Sequence, residues 1–210
     1  MAGVTSATRT PWRRPSKGEE RRADLLAALQ ELLEDKRFAE IGVDDIARAA
    51  GVRRTAFYFY FGSKAMAVAA LLADAFDQLI DGAADWLSGG DTPEVALRQA
   101  LTGVWQFWRS HDRIMVAMLD ARDNDAEVRV LWDEWLERFV APVAFMVESE
   151  RAASRAGPGP DARTLVRTLV GANAVALERL SRSEADEATS AAVLDVAVHV
   201  WTSALYPAGR

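Results

Sequence analysis

The stretch from residue 42 to 64, GVDDIARAAGVRRTAFYFYFGSK, turns on one glycine. Val43, Ile46, Ala47 and Ala50 recur at helical spacing, and Gly51 follows as the residue that best tolerates a left-handed stop. A helix of about two turns therefore ends in a tight corner. Val52 is suited to plug the space between this helix and the next, which Arg53, Arg54 and Thr55 open. Phe57 and Phe61, four residues apart, face one way into a small core. Tyr58 and Tyr60 point elsewhere, with hydroxyls able to donate to phosphate oxygens. Ser63 reads as the cap of a further helix, and a capped helix start with Lys64 beside it is suited to an anion. The pattern predicts a helix-turn-helix whose second short helix enters a major groove by its leading end.

DDIARAAGV followed by AFYFYFGSK resembles the DNA-binding signature of the TetR family of transcriptional repressors. The resemblance implies that Tyr58, Tyr60 and Lys64 grip the DNA backbone and that Arg53, Arg54 and Thr55 read bases. Two positions depart from it. Gly42 stands where the family has Ser or Thr, and Arg53 where it has Ser, so two expected side-chain caps are missing. Asp44 and Asp45 offset the first loss by complementing the helix dipole.

The 210 residues suit a small domain and a larger one, and half of them are apolar. The absence of cysteine excludes disulfides, thiolate metal sites and cysteine nucleophiles, and suits a reducing cytoplasm. No apolar run reads as long enough to span a bilayer, so no membrane partner is expected. Net charge is −6 but unevenly spread. Residues 1–64 hold 12 Lys and Arg against 9 Asp and Glu, and residues 65–210 hold 13 against 22. A basic N-terminal end adds affinity for a polyanion, while the acidic remainder limits indiscriminate sticking.

The expected fold is all-α with about nine helices. Residues 1–20 read as a flexible basic arm, 21–64 as the helix-turn-helix domain, and 65–210 as a helical ligand-binding and dimerisation domain. Leu25, Leu26, Leu29, Leu32 and Leu33 mark the helix backing the helix-turn-helix. Later helices are expected over about 63–87, from 93 through Trp108, 113–121, 126–154, 161–181 and 184–206, with Pro142 bending the fourth of these six. Six of the seven tryptophans lie beyond the DNA-reading segment: Trp86, Trp105, Trp108, Trp132, Trp135 and Trp201. Such a group suits either plain core or the walls of an apolar cavity. Asn173, among Leu169, Ala172, Ala176 and Leu177, must pair with a neighbour or with a ligand.

The fragments LLED, VDDIA, FYFYF, VHVW and the LW at Leu131 and Trp132 are similar to one branch of the family whose members carry a long apolar tunnel. That likeness implies a ligand site at Trp108, Trp132, Leu136, Phe139 and Trp201. The branch's pocket asparagines fall on Ala174 and Leu177 instead. Together with Trp105, Asn173 and Leu177 these make up the candidate ligand-binding set.

The family assembles as homodimers. The expectation here is a four-helix interface from the last two helices, with Gly171, Ala172, Ala174 and Ala176 permitting close approach. A palindromic double-stranded operator and a small hydrophobic ligand are the expected partners. No catalytic, metal or cofactor site is expected. His111 and His199 lack the Glu-x-x-His pattern of a di-iron bundle, and neither a phosphate loop nor a nucleophile elbow occurs. Asp120, Asp123 and Asp125 read as a solvated loop. The rival reading is a helical carrier of hydrophobic molecules without DNA recognition.

Overall fold

A computed structural model describes residues 16–87, 92–183 and 185–206. Among the described residues all regular structure is helical. Helix α1 (Lys17–Asp35) is followed by a 3-10 turn (Phe38–Glu40), then α2 (Val43–Ala49), α3 (Arg54–Tyr60) and the long α4 (Lys64–Leu87). The second half comprises α5 (Pro93–Ser110), α6 (Asp112–Asn124), α7 (Ala126–Ala152), α8 (Ala162–Arg182) and α9 (Glu187–Leu205).

Helix α1 begins inside the segment expected to be an arm. The Ser16 hydroxyl accepts from the Glu19 N–H at 3.2 Å, and the Glu19 carboxylate accepts from the Ser16 N–H at 2.6 Å. This reciprocal pair satisfies two donors at the helix start, so residues 17–20 are helical. Residues 1–15 of the expected arm lie outside the described residues, as do Ser88 to Gly90.

Leu25 and Leu29 of α1, Ile46 of α2, Phe57 of α3 and Val68 of α4 are buried to within 1% exposure, which ties the N-terminal helices into one core with the start of α4. Gly51 has φ +67°, the left-handed value expected of the corner. Gly42 has no side chain to cap α2, but its N–H donates to the Asp45 carboxylate at 2.9 Å, which restores half of a reciprocal cap.

Helix α6 runs longer than expected at both ends. Asp120 and Asp123 lie within it and pair with Arg182 of α8 at 3.0 and 3.2 Å. The loop reading of these carboxylates is thereby corrected. Long-range charge pairing, which local polarity does not reveal, extends the helix across them. Helix α7 is continuous through Pro142, whose ring sits on an exposed side of the helix. It ends at Ala152, and just beyond it Ser154 takes φ 57° and lets Arg155 N–H donate to Glu150 O at 2.9 Å. Glu137 of α7 accepts from both Arg163 and Arg167, strapping α7 to α8.

Helix α9 corrects another expectation, because by length and composition alone it is apolar enough to cross a bilayer. Its apolarity has two faces. Ala197, Val198, Trp201 and Leu205 are buried in the core, whereas Val196 and Val200 are 62% and 44% exposed. On α8, Ala172 and Val175 are likewise exposed, but Ala174, expected on the outer face, turns inward.

Asp45, Asp161 and Asp186 all have carboxyl pKa values held below the ordinary one. The N–H of Gly42 is the main cause for Asp45, and hydrogen bonds from Thr164 and Thr189 are the main causes for the other two. A carboxylate with a depressed folded pKa adds stability that is complete above its unfolded value of about 3.9 and is lost as pH falls through the folded value. The melting temperature is therefore expected to drop below about pH 5 and to keep falling as the pH passes through the lowered folded values. The double variant Asp161→Asn, Asp186→Asn should melt with a shallower acid slope, measured by circular dichroism; an unchanged slope refutes the assignment.

Candidate functional site

Helix α3 places its polar residues outward because Phe57 and Phe61 anchor its other side, at 0% and 5% exposure. Arg53, Arg54 and Thr55 are all exposed at its leading end, and Tyr58 is half exposed one turn on. Arg54 is not loose. Its guanidinium donates to Asp44 Oδ2 of α2 at 2.6 Å and to the Tyr58 hydroxyl at 3.2 Å, and it lies 5.5 Å from the Tyr58 ring centre. The Asp44 carboxylate raises the Arg54 pKa further above an already high value. Arg54 and Tyr58 thus form one preset unit spanning α2 and α3. Tyr60 is less exposed, with its hydroxyl beside Gly18 of α1. Phe59, which sequence reasoning passed over, is 82% exposed between the two tyrosines.

Lys64 departs from expectation. Its ammonium donates to the carbonyls of Phe38 and Ile41, both at 2.6 Å, and sits 4.0 Å from the Phe38 ring centre. Burial pushes its pKa below the usual lysine value. Two of its three donors close the carbonyl end of the 3-10 turn, which locks α4 to the loop before α2. The sequence suggested an anion site at the capped helix start beside Lys64, and two of the ammonium's donors are instead taken by these carbonyls.

Ser63 does cap α4, accepting from the Met66 N–H at 3.1 Å. Its hydroxyl in turn donates to Asp125 Oδ2 at 3.1 Å. The other Asp125 oxygen accepts from the N–H groups of Glu127 and Val128 at the start of α7. One carboxylate therefore serves two helix starts, one of them adjoining α3. Nothing local in the sequence signals this pairing across 62 residues.

The second half encloses an apolar cavity of about 100 Å³. Its walls include Trp108, Trp132, Leu136, Phe139, Asn173, Leu177 and Trp201. Trp105, also in the candidate set, is not a wall: it is buried one turn away and borders a separate recess. Helix α4 contributes Phe76, which stacks on Trp135 at 4.6 Å and meets Phe107 edge-on at 5.1 Å. Aromatic spacing alone does not distinguish such a wall from core, which is why Phe76 and Phe107 went unmarked. The Asn173 side chain makes no hydrogen bond among the described residues. Arg122, at the end of α6, lies 5.6 Å from the Trp132 ring centre and pairs with Glu178 at 3.2 Å. The side chain of Trp86 lies outside the description. No cluster of His, Cys, Asp and Glu able to hold a metal occurs among the described residues.

A helix-turn-helix with an exposed basic leading edge, joined to a helical body around an apolar cavity, defines a DNA-binding regulator. Comparison with known proteins gives the family. The profile described as "Bacterial regulatory proteins, tetR family" matches residues 25–71, and that of the "Transcriptional regulator EthR, C-terminal domain" matches residues 97–207. The chain is 31% identical to the HTH-type transcriptional regulator EthR of Mycolicibacterium smegmatis, over 97% of this chain and 95% of that protein. It is 32% identical to EthR of Mycobacterium tuberculosis, over 94% and 92% respectively. Among solved structures, the fatty acid degradation regulator FadR of Bacillus halodurans superposes with a TM-score of 0.71 at 14% identity, over 90% of this chain and 96% of that one. The chain belongs to the TetR family of helix-turn-helix transcriptional regulators, a non-enzymatic family, and carries an EthR-type C-terminal domain.

Proposed function

We propose that this chain is a ligand-responsive repressor that binds a palindromic operator as a homodimer and is released by a small apolar ligand. The observation that carries the DNA part is the row Arg53, Arg54, Thr55 and Tyr58, exposed along a helix whose opposite side is fully buried. Charged and hydroxyl groups held at fixed spacing can meet phosphates and base edges without a further ordering cost. Tyr60 and Lys64 then act from behind the contact surface, as parts that set the angle of α3 to α4.

The exposed valines at positions 175, 196 and 200 support dimerisation through α8 and α9. A second apolar face on a helix already buried along the first is accounted for when a partner covers it. A two-fold pair of such chains presents two α3 helices to half-sites roughly 34–36 Å apart, or a multiple of this. Ligand in the cavity favours a wider separation. To reverse a 1:99 balance between the two spacings, it must prefer the spread state by about 5.5 kcal/mol. Acting on chromosomal DNA places the protein in the cytoplasm.

The test is to pass sheared genomic DNA of the source organism over the purified protein. Enrichment of a fragment bearing an inverted repeat is expected, and the Arg54→Ala, Tyr58→Phe double variant should lose it while keeping its melting temperature. Retention of no fragment above bulk, or equal retention by the variant, overturns the DNA reading. An apolar compound that quenches tryptophan fluorescence but leaves operator affinity unchanged counts against the ligand reading.

A further inference from the structure

Helix α3 carries one large side chain that the core does not account for. Phe59 is 82% exposed, more than any other large apolar residue among those described. At about 100° per residue, Phe59 and Thr55 each fall about 160° from the buried Phe57, so they stand one turn apart on the side of α3 farthest from its core. Tyr58 and Tyr60 fall to either side of that line. The Phe59 ring is braced rather than loose: it meets the Tyr60 ring edge-on at 5.1 Å, and the Tyr60 hydroxyl in turn lies beside Gly18 of α1.

The surroundings of the ring say what covers it. Arg53 and Arg54 are exposed on the same short helix, and Arg54 is held in one direction by Asp44 and Tyr58. An apolar tip set among fixed guanidinium groups suits a polyanion with apolar groups in its grooves better than it suits a hydrocarbon surface. A helix laid in the major groove turns its flanks toward the sugar-phosphate walls and its outermost line toward the base edges. On α3 that line is Thr55 and Phe59. A phenyl ring has no donor or acceptor, so it reads no heteroatom. Of the groups that the four base pairs present in the major groove, the 5-methyl of thymine is the apolar one.

We infer that Phe59, extended by the methyl group of Thr55, selects thymine in each operator half-site through contact with its 5-methyl group. The ring is then a specificity determinant of a different kind from the arginines, because it rewards a methyl group and displaces no counterion. This rests on the reading of α3 as the DNA-reading helix.

Uracil differs from thymine only by that methyl group and keeps the same base pairing, so it isolates the contact. The operator recovered from genomic DNA is resynthesised with uracil for thymine at one base pair at a time, and binding by the full-length protein is titrated over a range of salt concentrations. At one or more positions uracil is expected to weaken binding about fourfold, the worth of one buried methyl group. Phe59→Ala, which removes the ring from both half-sites, should bind the thymine operator about fifteenfold more weakly with an unchanged salt slope. At those positions it should no longer separate thymine from uracil, and Phe59→Leu should keep part of the preference. Both variants should melt with the unaltered protein, since the ring is exposed. Equal binding of thymine and uracil at every position by the unaltered protein, or a preference that survives Phe59→Ala, overturns the thymine reading while DNA binding stands. Retention of no operator at all overturns both.

Discussion

Phe57→Ala is expected to abolish operator binding by loosening the N-terminal helices, without removing any contact to DNA. Phe57 has no exposed surface, and its ring lies 5.5 Å from that of Phe61 and 5.6 Å from that of Tyr58. Truncating a buried aromatic to alanine costs about 3–5 kcal/mol. That is a large share of the roughly 5–15 kcal/mol that holds a whole domain folded. The loss falls on α1, α2 and α3, whose shared core Phe57 fills together with Leu25, Leu29 and Ile46. Hydrogen exchange should show fast exchange throughout residues 43–61 and near-native protection in α7 and α8. A variant with native protection in α2 and α3 that still fails to bind DNA would show that Phe57 has some other role.

Arg54→Ala is expected to weaken operator binding by about 1–3 kcal/mol, close to five- to 150-fold, with no change in melting temperature. The guanidinium is more than half exposed, so its pair with Asp44 contributes little to folding. What the pair does is hold the side chain in one direction before DNA arrives, which lowers the ordering cost of binding. Asp44→Asn separates the two effects. It removes a negative charge from the DNA-facing side and frees Arg54, so affinity for random duplex should rise and the ratio of operator to random binding should fall. Salt-dependence titrations of both variants measure this. An Arg54→Ala variant with full operator affinity would move base reading to Arg53 and Thr55.

Local patterns made the helices and the corner legible. Gly51, the anchors Phe57 and Phe61, and the apolar stripes of α5 and α7 follow from spacing alone, since 3.6-residue periodicity records which side of a helix is covered. The start of α1 was also readable, because Ser16 and Glu19 form the S-x-x-E signature of a reciprocal cap; basic and polar composition drew attention away from it. The outer faces of α8 and α9 were harder. Small and apolar residues occur all round both helices, so periodicity could not separate Ala174, which turns inward, from Ala172, which does not.

The site details that were not legible share a cause: their partners are distant in the chain. Lys64 is drawn to the carbonyls of Phe38 and Ile41, Ser63 to Asp125, and Arg182 to Asp120 and Asp123. A motif match assigns a side chain its type and position, but its direction is decided by whichever unsatisfied acceptor the fold brings near. Trp105 and Trp108 make the same point within a single helix. Three residues apart and almost equally buried, both border the recess, but only Trp108 also reaches the cavity, and the indole N–H of Trp108 alone of the two has found a partner.

The carboxylate of Asp125 has a mechanical consequence. Two helix ends joined through one rigid three-atom group cannot drift apart separately, so the pair behaves as a crank with Asp125 as its pin. Under the proposed ligand response, a ring displaced at Trp132, less than two turns along α7, is expected to shift Asp125, and through Ser63 the start of α4.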